Sequence, residues 1–281
     1  MTSQKTIDVK RVDGFSLRYR VQVDGVGQPL VLLHGFTGTG TTWDDVTLGL
    51  ARSFTVIRPD LLGHGETDAP DDPAKYNIYT CAGDIVRLCK LLGYERFALH
   101  GYSMGGRLAL YLAQHFPEQL TALSLESASP GLHTPEERAA RVQSDEALAT
   151  FIVSRGVAPF VDEWEKLPLF AGLAKMSATK QDTLRKMRLS QRPLGLANSL
   201  RGMGTGKQPS LWPRLGRYSG DTLILTGADD AKFCVIGDEM KENMPNAERV
   251  SVAGAGHTIH LEQPEAWLNA VGGFFRRHLL R

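Results

Sequence analysis

The sequence predicts a doubly wound α/β protein with a mostly parallel sheet and a helical cap inserted into it. Three observations carry that expectation. Unbroken apolar runs such as Leu30-Val31-Leu32-Leu33 alternate with segments of helical spacing, as buried parallel strands in βαβ units require. An apolar run over 97–99 feeds the turn Gly101-Tyr102-Ser103-Met104-Gly105-Gly106, and a helical pattern with Leu108, Tyr111, Leu112 and Phe116 leaves it. The strand–helix rhythm then breaks at Ser129-Pro130-Gly131 and resumes only at Thr222-Leu223-Ile224-Leu225, after a stretch that is mainly helical and richer in charge. The expected divisions are a first core part over 1–129, a cap over 130–215 and a second core part over 216–281.

Each element has a local reason. Alternating segments at 7–10 and 17–21 flank Asp13-Gly14 and read as an antiparallel edge hairpin. The run after Pro29 is a strand that opens into the glycine-rich loop His34-Gly35-Phe36-Thr37-Gly38, followed by a helix over 42–51 and a strand over 54–57. Thr80 is the expected N-cap of a helix over 82–92, with Ile85, Leu88 and Leu92 on one face and Gly93 as its stop. After the serine turn and its helix, a strand over 120–125 closes the first part of the core. In the cap, Pro135-Glu136-Glu137-Arg138 opens one helix, 160–170 suggests a shorter one broken by Pro168, and 179–189 a third. The core finishes with a helix near 233–243, a strand over 248–252 and a last helix over 264–278.

Composition narrows the function. A chain of 281 residues with 42% hydrophobic content can bury a full core, and a formal net charge of +1 offers no electrostatic reason to bind nucleic acid or an anionic membrane. Residues 1–13 are polar and β-like without an apolar leader segment, and no apolar stretch approaches a bilayer span. A cytoplasmic protein without membrane insertion is the expectation. Cys81, Cys89 and Cys234 have neither metal-ligand nor redox spacing and read as small buried apolar residues.

The turn around Ser103 has the Gly-x-Ser-x-Gly pattern of a nucleophile elbow, in which flanking glycines let the backbone bend until the hydroxyl stands above the sheet edge. A serine hydroxyl reacts only when a histidine takes its proton, and that histidine needs a carboxylate to fix its tautomer. Ser103, Asp230 and His257 follow in the required order, each after a strand. Asp229 would point elsewhere and Asp221 precedes its strand; Glu126 is the rival acid and His260 the rival base. Backbone N–H groups of Phe36 and Met104 are the expected oxyanion donors, and His34 is expected to shape its loop. Arg107, one helical turn after Ser103, lies near the reacting centre either as a carboxylate-binding cation or in a buried ion pair, for instance with Glu126. The segment Gly202-Met203-Gly204-Thr205-Gly206-Lys207 fails the phosphate-loop pattern at Arg201 and Gln208, and His257 and His260 lack a ligand cluster for metal.

The elbow ending in Arg107, the cap phrase Glu137-Arg138-Ala139-Ala140-Arg141, Trp164 before Pro168-Leu169-Phe170, and 200–212 together resemble one family across nearly the whole chain. It is the 2-succinyl-6-hydroxy-2,4-cyclohexadiene-1-carboxylate synthases of menaquinone (vitamin K2) biosynthesis, which have the α/β-hydrolase fold. The resemblance implies a lyase that eliminates pyruvate from a small substrate with three carboxylates, with no cofactor. It matches Ser103, Asp230 and His257 to the triad, Arg107, Arg141 and Arg188 to carboxylate-binding arginines, and Tyr102 and Trp164 to the pocket. Ser103 would then act as a general base rather than forming an acyl-enzyme. Glu165 departs from the pattern, standing where some members have tyrosine. A carboxylesterase or carbon–carbon bond hydrolase on the same triad is the alternative, and a non-catalytic ligand receptor a remoter one.

Overall fold

The structure, a computed structural model, describes residues 2–280. Its strands are β1 (Ser3–Lys10), β2 (Ser16–Asp24), β3 (Gln28–Leu33), β4 (Phe54–Pro59), β5 (Phe97–Tyr102), β6 (Leu120–Glu126), β7 (Thr222–Gly227) and β8 (Ala247–Val252). They form one sheet in the order β1-β2-β4-β3-β5-β6-β7-β8. The β1–β2 hairpin is antiparallel and docks antiparallel on β4, and every pairing beyond is parallel.

The unbroken apolar runs are explained by the pleat. Successive side chains face opposite sides of a strand, so a run buried throughout must serve two cores. Val31 and Leu33 join a core with Ile57, Leu99, Leu123 and Ile224, while Leu30 and Leu32 join the other with Val56, Ala98, Ala122 and Leu223. Helices α2 (Ile78–Leu91) and α3 (Met104–His115) cover the first face, and α1 (Asp44–Ala51) and the C-terminal helices cover the second.

Several boundaries differ from the sequence expectation, each for a local reason. The helix expected over 42–51 begins as a 3₁₀ turn, Gly40–Trp43, capped by Thr39, before α1 takes over. Asn77, not Thr80, caps α2: its side chain accepts the Tyr79 N–H at 2.9 Å, while the Thr80 hydroxyl donates back to the Asn77 carbonyl. Cys81 and Cys89 are buried, but Cys234 is half-buried, its thiol directed at the Gly227 carbonyl.

Between β6 and β7 lie α4 (Pro135–Arg155), α5 (Val157–Trp164), α6 (Ala178–Leu189) and α7 (Pro193–Met203). A capping box of Thr134 with Glu137 starts α4, and Gly156, at φ 84°, separates it from α5. The helix expected over 160–170 is thus α5, which ends at Trp164, and Pro168 opens a separate 3₁₀ segment, Pro168–Lys175. Nothing in the sequence reading anticipated α7. Ala149, Ile152, Phe160, Val161, Leu196 and Leu200 form a core within these helices. Beyond β7 come α8 (Ala231–Asn243), then α9 (Ile259–Glu262), α10 (Pro264–Trp267) and α11 (Gly273–Leu279); a π turn, Leu268–Gly272, interrupts the helix expected over 264–278.

Two buried histidines brace the loops that follow β3 and β4. His34 Nδ1–H donates to the Gly35 carbonyl at 2.8 Å and Nε2 accepts the Leu61 N–H at 2.9 Å, a pattern that only the neutral ring satisfies. Burial pushes His34 down to about 4 and His64, with repulsion from His34 added, to about 3. A histidine kept neutral in the fold binds its proton first in the unfolded chain. Stability is therefore complete above the ordinary value of 6.5 and declines as pH falls toward 4 and 3. Thermal melts should show Tm dropping through this window, and a shallower drop in His34→Gln.

Candidate active site

Ser103 is the single residue between β5 and α3, at φ 51° and ψ −109°. Such a backbone is strained for a residue with a side chain, and the surroundings hold it: Ser103 N–H donates to the Glu126 carbonyl and its own carbonyl accepts the Arg107 N–H, both at 2.9 Å. The flanking glycines permit the bend, as the sequence pattern implies, although the left-handed backbone itself is at Ser103. They supply missing Cβ atoms: one on Gly101 would overlap the Gly105 carbonyl, one on Gly105 the Leu33 carbonyl, and one on Gly106 the Ala128 side chain. Only glycine lets α3 run this close to β3 and β5.

The imidazole of His257 lies between Ser103 and Asp230. Nε2 is 3.1 Å from Ser103 Oγ and Nδ1 is 2.7 Å from Asp230 Oδ2. Asp230 caps α8, its other oxygen accepting the Phe233 N–H. Asp229 turns outward to Lys175, and Asp221 bonds His278. Glu126, the rival acid, serves the rival base: it accepts from His260 Nδ1 at 2.8 Å, the His260 N–H at 3.2 Å, Trp267 Nε1 at 2.7 Å and His100 Nε2 at 3.3 Å. Burial would raise its pKa, but His260 and His100 outweigh that and hold it well below the usual carboxylate range.

A cavity of about 460 Å³ opens over Ser103, bounded by Phe36, Tyr102, Met104, Arg107, Arg141, Trp164, Phe170 and His257. Met104 is the first residue of α3, so its N–H has no acceptor within the helix, and Phe36, in the loop after β3, lines the same cavity. Trp164 sits in an aromatic group with Phe36, Phe160 and Phe170, ring centres 5.4–5.5 Å away. Arg107 is not paired with Glu126. Its Nη1 donates to the Met203 carbonyl and to Gln208 Oε1, each at 2.9 Å, both uncharged acceptors. Burial and the nearby Arg141 push its pKa down to about 10, which leaves it cationic at neutral pH.

Residues 28–264 match the alpha/beta hydrolase fold family. A Bacillus subtilis (strain 168) protein named "Putative 2-succinyl-6-hydroxy-2,4-cyclohexadiene-1-carboxylate synthase" is 40% identical over 96% of this chain and 98% of its own length. The synthase of the same name from Serratia proteamaculans (strain 568) is 31% identical over 87% of this chain and 92% of its own. The solved structure of MenH from S. aureus superimposes with a TM-score of 0.88 at 35% identity, covering 92% of this chain and 98% of that one. The chain belongs to this synthase family, within the α/β-hydrolase fold.

The other arginines expected from the synthase family resemblance sit differently. Arg141 lines the cavity and pairs with Asp145 at 2.7 Å. Arg188 does not line it; its guanidinium stacks on Phe170, which does, and bonds Glu165 at 3.1 Å. Sequence reasoning missed Gln208 and the Met203 carbonyl, the anchors of Arg107. They belong to the glycine-rich stretch that imitates a phosphate loop, whose Gly206 is needed because a Cβ would meet the backbone of α4 at Arg138 and Val142. Among the described residues no group of three or more His, Cys, Asp or Glu is placed to hold a metal ion, and no helix is long and apolar enough to cross a membrane. Because Gly105 has no room for a methyl group, Gly105→Ala should destabilise the protein by about 2 kcal/mol or more by denaturant unfolding and displace the elbow.

Proposed function

We propose that this chain eliminates pyruvate from 2-succinyl-5-enolpyruvyl-6-hydroxy-3-cyclohexene-1-carboxylate to give 2-succinyl-6-hydroxy-2,4-cyclohexadiene-1-carboxylate, in menaquinone biosynthesis. The observation that carries this reading is Arg107: a half-buried cation on the wall of the Ser103 cavity whose bonds, among the described residues, go to uncharged oxygens. A neutral ester needs no such charge, whereas a substrate with three carboxylates gives it a partner. Near-full-length identity to proteins named for this reaction supports the same conclusion.

The bond changes follow from the two names. One double bond at ring position 3 becomes two at 2 and 4, so a proton leaves carbon 2, beside the succinyl ketone, and the enolpyruvyl group leaves carbon 5. Ser103 Oγ takes the carbon-bound proton while its own proton passes to His257 Nε2, and Asp230 stabilises the imidazolium at Nδ1. The negative charge that develops on the ketone oxygen is met by the Phe36 and Met104 N–H groups. The electron pair moves into the 2,3-bond, the 3,4-bond shifts to 4,5, and the carbon–oxygen bond to enolpyruvate breaks. That enolate gains a proton and becomes pyruvate, so no acyl-enzyme forms. Arg107 and Arg141 bind carboxylates, and Tyr102 and Trp164 shape the ring pocket.

Pyruvate release, followed by coupled oxidation of NADH with lactate dehydrogenase, tests the reaction. Purified protein should release pyruvate from the enolpyruvyl substrate, and Ser103→Ala should lose at least about a thousandfold in kcat. Turnover of simple p-nitrophenyl esters without pyruvate release would favour the hydrolase reading instead. Arg107→Ala should raise KM by about tenfold to a hundredfold and lower thermal stability by about 1–3 kcal/mol, because it leaves the Met203 carbonyl and the buried Gln208 Oε1 without their donor.

A further inference from the structure

Glu165 stands one residue past α5, between two arginines of α6. Its Oε2 accepts from Arg185 Nη1 at 2.6 Å and its Oε1 from Arg188 Nη1 at 3.1 Å. The two cations are not equivalent. Arg185 is 39% exposed and holds Asp162 as a second carboxylate, whereas Arg188 is 6% exposed and is ion-paired, among the described residues, to Glu165 alone. Arg188 Nε is buried with no acceptor among the described residues, and the guanidinium lies 5.0 Å from the centre of the Phe170 ring. Phe170 in turn is 6.4 Å, ring to ring, from His257. A void of about 20 Å³ beside Arg188 shares Phe36, Tyr102 and Phe170 with the Ser103 cavity, so these three rings are the partition between them.

A guanidinium that is buried, has an unfilled donor and lies one aromatic ring from the reacting centre has the make-up of an anion subsite. Here the anion comes from the protein. We propose that Glu165 is an internal competitor for Arg188: its carboxylate occupies the guanidinium that a substrate carboxylate would otherwise reach past Phe170, and so sets how tightly this chain holds polycarboxylates. The proposal rests on the polycarboxylate substrate proposed above. A ligand that uses Arg188 must first break the Glu165 pair, and the strength of that pair is subtracted from the ligand's affinity. Displacement does not strand a buried negative charge, because Glu165 is 26% exposed and keeps Arg185 as a partner. Glu165 is thus a positioning residue acting through Arg188.

Titration calorimetry with 2-succinylbenzoate, an aromatic dicarboxylate, compares the parent with Glu165→Gln, Arg188→Ala and the double variant, alongside KM and kcat for pyruvate release. Glutamine keeps an oxygen for Arg185 and removes the charge. We expect Glu165→Gln to bind about tenfold more tightly, with the change in turnover falling on KM rather than kcat, and the gain to vanish when Arg188→Ala is added. Weaker binding in Glu165→Gln overturns the proposal, because Glu165 would then only prop Arg188 for substrate. A gain that survives Arg188→Ala also overturns it, since the effect would be a general loss of negative charge. Glu165→Ala, read the same way, covers a glutamine variant that fails to fold. Absence of pyruvate release from the parent sinks the assigned reaction, while the titrations still decide the role of Glu165; absence of binding in all four proteins sinks the subsite.

Discussion

The buried carboxylate of Glu126 is the contact on which the site depends. It ends β6 and receives N–H donors from His100, His260 and Trp267, while its own carbonyl oxygen takes the N–H of Ser103. One residue thereby references the serine turn on one side and, through His260, the loop that carries His257 on the other. Burying a charge costs several kcal/mol unless it is fully partnered, and four converging donors meet that condition. Tyr102 completes the arrangement, its ring packing on His260 at 4.7 Å and on His257 at 5.5 Å. The 3.1 Å separation between His257 and Ser103 is a consequence of this common anchor.

Features governed by local chemistry were legible in the sequence. Strand runs, the elbow and the Ser–Asp–His order follow from periodicity and from where loops leave a parallel sheet, and the structure brings those three side chains together. Features governed by packing across the chain were not. Helix α7 contains Gly195 and Gly202, poor helix formers, which are there because Gly63 and Tyr76 press against them. The capping error at α2 has a similar origin: Asn77 and Thr80 are both competent cap residues, and the 3₁₀ turn Pro73–Tyr76 upstream decides between them. Glu165 was visible as a departure, but its meaning lay 20 and 23 residues away in Arg185 and Arg188.

The site combines two electrostatic designs. Around Ser103 a single carboxylate among the described residues, Asp230, bonds His257, which in turn reaches the serine hydroxyl. On the cap side the cations are graded by what already holds them: neutral oxygens for Arg107, an i,i+4 aspartate for Arg141 and a bridging glutamate for Arg188. Of the two arginines that line the cavity, Arg107 is held by neutral oxygens and Arg141 by a carboxylate that an entering anion would have to replace. Discrimination between ligands then comes from these exchanges more than from the total positive charge.

The core within α4 to α7 is built from side chains of the cap itself, and the Leu211 N–H to Pro130 carbonyl bond at 2.8 Å joins its two chain ends where they leave the sheet. The lining of the cavity is nevertheless shared, with Arg141 and Trp164 coming from these helices and Arg107 and Tyr102 from α3 and β5. Mutations that repack these helices can alter one wall of the cavity while the hydrogen bonds joining Ser103, His257 and Asp230, which lie outside them, stay in place. A lineage with this architecture can acquire a new substrate in steps, each of which keeps a working chemical centre.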